Sequence, residues 1–298
     1  MSRQASGGSP KHIRMATVNS SVDLAERTAA ASGAIGIRPA YFVQQANGSF
    51  RPTTSAAASW SDGALSGQAI AGLAASTLER KYGAIGYLPA RLTLDLLKPA
   101  RAVPTHTQTR VIRHGHRMRT AECDIIQDDW IVARATLLQY RQTNASVDEQ
   151  WESVMSVIAP DSTDNHPLHV DDDGTGWSPM GLRHHSTGRK RAYYGGLDAV
   201  AGLPATPFVR SAVVAEAAAN LVTDLGASGI GYVNGDLTVA LTRLPRGVFI
   251  GVQADTHFSE NGVSVGSATL FDDDGAFGTS MVTAMANPAT RMEISGRG

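Results

Sequence analysis

The stretch Ile85-Gly86-Tyr87-Leu88-Pro89-Ala90-Arg91-Leu92-Thr93-Leu94 returns 145 positions later as Ile230-Gly231-Tyr232-Val233-Asn234-Gly235-Asp236-Leu237-Thr238-Val239. Ile, Gly, Tyr, Leu and Thr recur in register, and Leu/Val exchanges keep the apolar pattern. The match runs on through Leu96 with Leu241, Lys98 with Arg243 and Gln108 with Gln253. A repeat of this length points to two copies of one small domain. Each copy is too long to be a solenoid repeat, so each carries its own core face and needs its twin to cover what is left.

Reading outward from the first copy, Asn47-Gly48 marks a hairpin turn between strands at 41–45 and 50–53. Ser61 and Asp62 offer N-caps for a helix from about Gly63 to Lys81, ended by Gly83. Residues 64–78 carry no charge, which marks a helix buried all round. Four strands follow, at 91–98, 105–113, 119–127 and 131–142, recognised by β-branched residues and period-two alternation.

The second copy repeats this grammar. Strands are expected at 181–185 and 189–194, then a helix from about Thr206 to Leu225 ended by Gly226. Four strands complete it at 231–243, 248–259, 263–271 and 278–286. The implied boundaries are a disordered or loosely docked arm over 1–35, a first unit over 36–142, a linker over 143–180, a second unit over 181–290 and a tail over 291–298. The polar run Asp171-Asp172-Asp173-Gly174 is the clearest break.

Composition narrows the function. The 298 residues are 42% hydrophobic and 18% charged, with net charge −1, so nothing favours nucleic acid or a membrane surface. One cysteine, Cys123, rules out an intrachain disulfide and a Cys-based metal site. No apolar run nears the roughly 20 residues of a membrane span, and no signal-peptide core opens the chain. A cytoplasmic protein is expected. His184-His185 and Asp171–Asp173 lack the spacing of a metal site, so no metal is expected. A Ser-His-Asp hydrolase is not expected.

Several short motifs share an order. They are Ser66-Gly67-Gln68-Ala69-Ile70-Ala71-Gly72 at the first helix and 89–99, ending in Lys98-Pro99. Arg113-His114-Gly115-His116-Arg117 follows at a hairpin, then 234–239 with Arg243 in the second copy. In these the chain resembles the acyl-CoA thioesterase II family and its actinobacterial thioesterase-like relatives, over about 41–142 and 181–288. The resemblance implies an α+β double hotdog: two tandem units, each a long antiparallel sheet wrapped around a central apolar helix. It also implies hydrolysis of an acyl-CoA thioester without a cofactor. The family's active site uses a helix acid, a Thr just before the Asp of the long strand, and a Gln on the last strand. Carried across, these fall on Glu216, on Asn234, and on Val282 or Thr283. Glu216, Asn234 and Thr283 are therefore the catalytic candidates.

The residues themselves support a role for Glu216. It sits in Ala212-Val213-Val214-Ala215-Glu216-Ala217-Ala218-Ala219. A carboxylate so poorly solvated has a raised pKa, which suits a general base near neutral pH. Asn220, four residues on, shares its helix face. Asn234 could orient a water or donate to a carbonyl oxygen. Gly67 and Gln68, at the start of the first helix, offer N–H groups and a helix dipole to a carbonyl or a phosphate. Arg113 and Arg117 belong to a basic hairpin that could meet coenzyme A phosphates.

The alternative reading is a catalytically impaired hotdog protein that binds an acyl-CoA without turnover. A hotdog hydratase ranks below both, because no Asp–His pair opens either helix. Free sheet edges imply a homodimer or higher homo-oligomer.

Overall fold

Thr93 faces Thr238 across the middle of one long antiparallel sheet, and the two repeats meet there. The computed structural model describes residues 38–58, 61–144, 159–160, 168–172, 174–180, 184, 186–219 and 231–286. The arm over 1–35, most of the expected linker, Asn220, the helix beyond Ala219 and the C-terminal tail lie outside the described residues.

The first copy contributes β1 (Ala40–Gln44), β2 (Phe50–Pro52), helix α1 (Gly67–Tyr82), β3 (Tyr87–Leu96), β4 (His106–His114), β5 (Met118–Gln127) and β6 (Trp130–Arg141). Then come β7 (Leu168–Asp172), β8 (Ser178–Pro179), β9 (Lys190–Tyr194), β10 (Asp198–Val200) and helix α2 (Pro207–Ala219). The chain closes with β11 (Tyr232–Asn234), β12 (Asp236–Leu241), β13 (Ile250–Glu260), β14 (Val263–Asp272) and β15 (Gly275–Ala286).

Twelve of these strands form one sheet in the order β4-β5-β6-β3-β12-β15-β14-β13-β9-β7-β8, with β11 also on β15. The join between copies is the antiparallel pair β3–β12. In it Thr93 faces Thr238, Leu92 faces Val239 and Leu94 faces Leu237. Under the sequence repeat Thr93 is the counterpart of Thr238, Leu92 of Leu237 and Leu94 of Val239. Each strand thus pairs with its own counterpart about a local twofold axis through the two threonines, the self-complementary geometry of a twofold interface. The alternation is strict enough to fix the register: Leu92, Leu94, Leu237 and Val239 are all buried, on the face that meets the helices.

Helices α1 and α2 pack on each other within that concave face. Gly72 abuts Val213 and Gly67 abuts Glu216, so the two run antiparallel. One continuous core joins Ile70, Leu73 and Leu78 of α1 to Phe208, Val209 and Val213 of α2 and to strands of both copies. Among the described residues no helix is long and apolar enough to cross a membrane.

Three expectations are corrected. Helix α1 starts at Gly67, capped by Ser66, whose hydroxyl accepts from the Ala69 N–H at 3.2 Å. Ser61 and Asp62 do not cap it, because Gly63 is left-handed (φ +73) and Ala64 and Leu65 are drawn into bridges with Arg101 and Ala57. The hairpin β1–β2 forms as expected and stands apart from the main sheet, with β1 also pairing in parallel with β10 of the second copy. The segment read as linker carries β7 and β8, and β7 pairs with β9; apart from His184, the strand expected over 181–185 lies outside the described residues. The strand expected over 231–243 is broken at Gly235 into β11 and β12.

Candidate active site

Gly235 is where the second repeat turns a side chain inward. Asn234 faces Ala284 on β15, whereas Thr238 faces Met281, so the β11–β12 strand holds one residue more than its partner. That is a β-bulge, and it changes which face the side chains take. The Gly235 N–H donates to the Thr283 carbonyl at 2.9 Å. The Asp236 carboxylate fills the gap in the ladder: it accepts from the Thr283 N–H at 2.7 Å and the Thr283 hydroxyl at 2.8 Å. The first copy has the matching bulge at Ala90, between Pro89↔Gln139 and Arg91↔Leu138.

The bulge sends Asn234 toward α2, where its Nδ2 donates to Glu216 Oε1 at 3.2 Å. Glu216 is 3% exposed. Its carboxylate also takes the backbone N–H of Gln68. It therefore caps the N-terminus of α1 from the neighbouring helix, where a negative charge is favoured. A Cβ at Gly67 would land on the carboxylate, so only glycine leaves room for the approach. Burial pushes the Glu216 carboxyl up to about 7, while the Asn234 amide and the Gln68 N–H pull the other way. Two buried oxygens, Glu216 Oε2 and Asn234 Oδ1, have no hydrogen-bond partner among the described residues. Such groups in a native site call for a water or a ligand.

Both residues line a cavity of about 310 Å³. The N-terminus of α1 (Ser66, Gly67), the end of β3 with Lys98, and Met285 complete much of its wall. The lining is mostly apolar, with few polar groups, the usual make-up of a small-molecule site. Behind the carboxylate, fully buried Tyr41 donates to the Gln68 side chain at 3.0 Å. Burial raises the Tyr41 pKa most, with Tyr194 and Glu216 adding to it.

Of the sequence candidates, Glu216, Asn234, Gly67 and Gln68 come together. Gln68 contributes only its N–H, since its side chain turns to Tyr41. Thr283 does not join them. Val282 and Ala284 are the buried, inward residues of β15, and Thr283 is held on the other face by Asp236. The position facing inward is thus Val282, with no amide. Arg113 and Arg117 lie at the β4–β5 hairpin. Met118 there faces Tyr140, whereas cavity-lining Ala133 faces Ile125, so seven residues of strand intervene, about 23 Å. Asn220 lies outside the described residues. His184 bonds Ser178, and Asp171 pairs with Arg191, so these belong to the packing of β7–β9. Tyr41 and Asp236 were missed. Asp236 stands inside the repeated motif and could have been found there, whereas nothing local to Tyr41 marks it.

Compared with curated protein sequences, the chain matches none. Similar solved structures share the fold at low identity. A Thermobifida fusca protein described as a candidate thioesterase II is 15% identical, with TM-score 0.60, covering 85% of this chain and 100% of that one. An acyl-CoA thioesterase II from Mycobacterium marinum is 14% identical, with TM-score 0.56, covering 83% and 96%. A hot dog fold protein from Alicyclobacillus acidocaldarius is 15% identical, with TM-score 0.56, covering 76% and 89%. The model of the acyl-CoA thioesterase N-terminal domain matches residues 56–140, and that of the C-terminal domain matches 141–286. These matches span both repeats and the bulged strand that carries Asn234, and they show that the chain belongs to the acyl-CoA thioesterase family, with a double hotdog fold.

Proposed function

We propose that the protein hydrolyses an acyl-CoA thioester with a water activated by Glu216. The observation that carries this reading is the pair of bare, buried acceptors, Glu216 Oε2 and Asn234 Oδ1, at a cavity whose acid titrates near neutrality. A water seated between them donates one O–H to each and keeps a lone pair for the thioester carbon. As that oxygen attacks, its proton passes to Glu216 Oε2. The tetrahedral intermediate then expels the coenzyme A thiolate, which takes the proton back. The products are a carboxylic acid and free thiol. The positive end of α1, beside Gly67, favours negative charge developing on the carbonyl oxygen.

Thiol release from acyl-CoA tests this. Glu216→Gln keeps the shape and the hydrogen bonds but cannot accept a proton. It should lower kcat by about 10²-fold or more while substrate binding persists in calorimetry. Undiminished turnover in that variant removes Glu216 from the mechanism. A second reading, binding without turnover, is favoured by Val282, which supplies no amide where the family uses Gln. It predicts saturable acyl-CoA binding by the unaltered protein with no thiol released.

A further inference from the structure

The other end of α1 opens on a second pocket, of about 190 Å³, lined by Lys81, Tyr82, Arg113, His114, Arg119 and Gln139 among others. No carboxylate is among its lining residues. On the same sheet Arg110 pairs with Glu122 and Asp124, and Arg134 with Asp124. Arg113 and Arg119 line this pocket together, and among the described residues neither has an ion-pair partner.

Arg119 is the best placed. Its guanidinium lies over the Tyr87 ring, 4.0 Å from the centroid. The Tyr87 hydroxyl in turn donates to the His116 carbonyl at 2.7 Å, which pins the ring to the hairpin tip. A stacked guanidinium has lost its freedom before any ligand arrives, so less is lost on binding. Its Nε is buried with no hydrogen-bond partner among the described residues. Arg113 and His114 come from β4, where His114 faces Arg119 across the ladder. Lys81 bonds Thr109 and sits in the last turn of α1, where a cation answers the helix dipole. The anion-binding character therefore falls to Arg113 and Arg119. Planar, forked donors of this kind suit a tetrahedral oxyanion better than an ammonium does.

We propose that this pocket binds a phosphate monoester, about 24 Å from the acyl cavity along the 16 residues of α1. Two sources share that chemistry: the phosphates of the coenzyme A substrate itself, or a separate nucleotide acting as effector.

Calorimetry of the intact protein with inorganic phosphate and with adenosine 3′,5′-bisphosphate tests the site without requiring hydrolysis. Binding should weaken about tenfold in Arg119→Gln and again in Arg113→Gln, the worth of one charge-assisted hydrogen bond each. Arg113 is exposed, so its variant leaves the fold intact even if Arg119→Gln does not. Kinetics then separate the sources. A KM that rises in Arg113→Gln for acyl-CoA but not for an acyl-N-acetylcysteamine thioester assigns the pocket to the substrate's own phosphates. An unchanged KM for both, with phosphate binding still lost, assigns it to a separate nucleotide. No binding of either probe at millimolar concentration, or equal binding by wild type and both variants, overturns the proposal. Either result leaves the test of Glu216 standing on its own.

Discussion

A carboxyl group held near neutral pKa costs the fold stability, and at Glu216 the sign of that cost can be worked out. Its folded pKa, about 7, is above the ordinary 4.5. Below pH 4.5 both folded and unfolded forms carry the proton and nothing is lost. Between 4.5 and 7 the unfolded chain ionises first, so stability falls as pH rises. Above 7 the loss is complete, at roughly 3 kcal/mol. Glu216→Gln removes the ionisation and should be more stable than wild type by up to that amount at pH 8. The two should converge as pH approaches 4.5. Urea unfolding at both pH values measures it, and a stability gap that ignores pH would contradict the burial account. The sequence made this residue legible, because an acid flanked by Ala and Val has few ways to stay solvated. The Tyr41–Gln68 contact behind it was not legible, since it joins residues 27 apart whose meeting is set by packing.

At the scale of elements the site depends on the bulge at Gly235. A one-residue insertion in a strand has no hydrophobic signature, so 231–243 read as one continuous strand. For the same reason the choice between Val282 and Thr283 could not be made from spacing, since a slip of one residue exchanges the two faces. The start of α1 failed on similar grounds. Ser61 and Asp62 are good caps locally, but bridges from residues 64 and 65 to the surrounding chain hold that segment extended until Ser66. Asp236 is the structural price of the bulge, being the acceptor for two Thr283 donors. Asp236→Ala should leave both unpaired and destabilise the protein by about 1–3 kcal/mol. It should also reduce thiol release, because Asn234 loses its fixed aim at Glu216. Unaltered stability and rate would show that the bulge holds itself.

For the whole molecule, the repeat that opened the reading is the same feature that builds the centre of the sheet. Thr93 and Thr238 mark a local twofold axis, and the core runs unbroken through both copies. The catalytic candidates need both as well, since Gly67 and Gln68 come from one and Glu216 and Asn234 from the other. A fragment covering residues 38–144 would expose the inner face of α1 and an unpaired β3. It should dimerise through β3 with Thr93 over its own copy, or fail to stay soluble. A folded monomer in light scattering would contradict the interdependence of the halves. That each copy needs its twin was legible in the repeat, whereas the strands that join them were not. What the repeat could not show is the bulge, which turns Asn234 inward at the position that Pro89 holds in the first copy.

The most direct test of the central claim is the pH dependence of kcat/KM for thiol release from acyl-CoA. Catalysis by the basic form of Glu216 predicts a rate that rises through a single limb near pH 7 and then levels, with the limb absent in Glu216→Gln. A profile flat from pH 5 to pH 8, or the same limb in the variant, would contradict it.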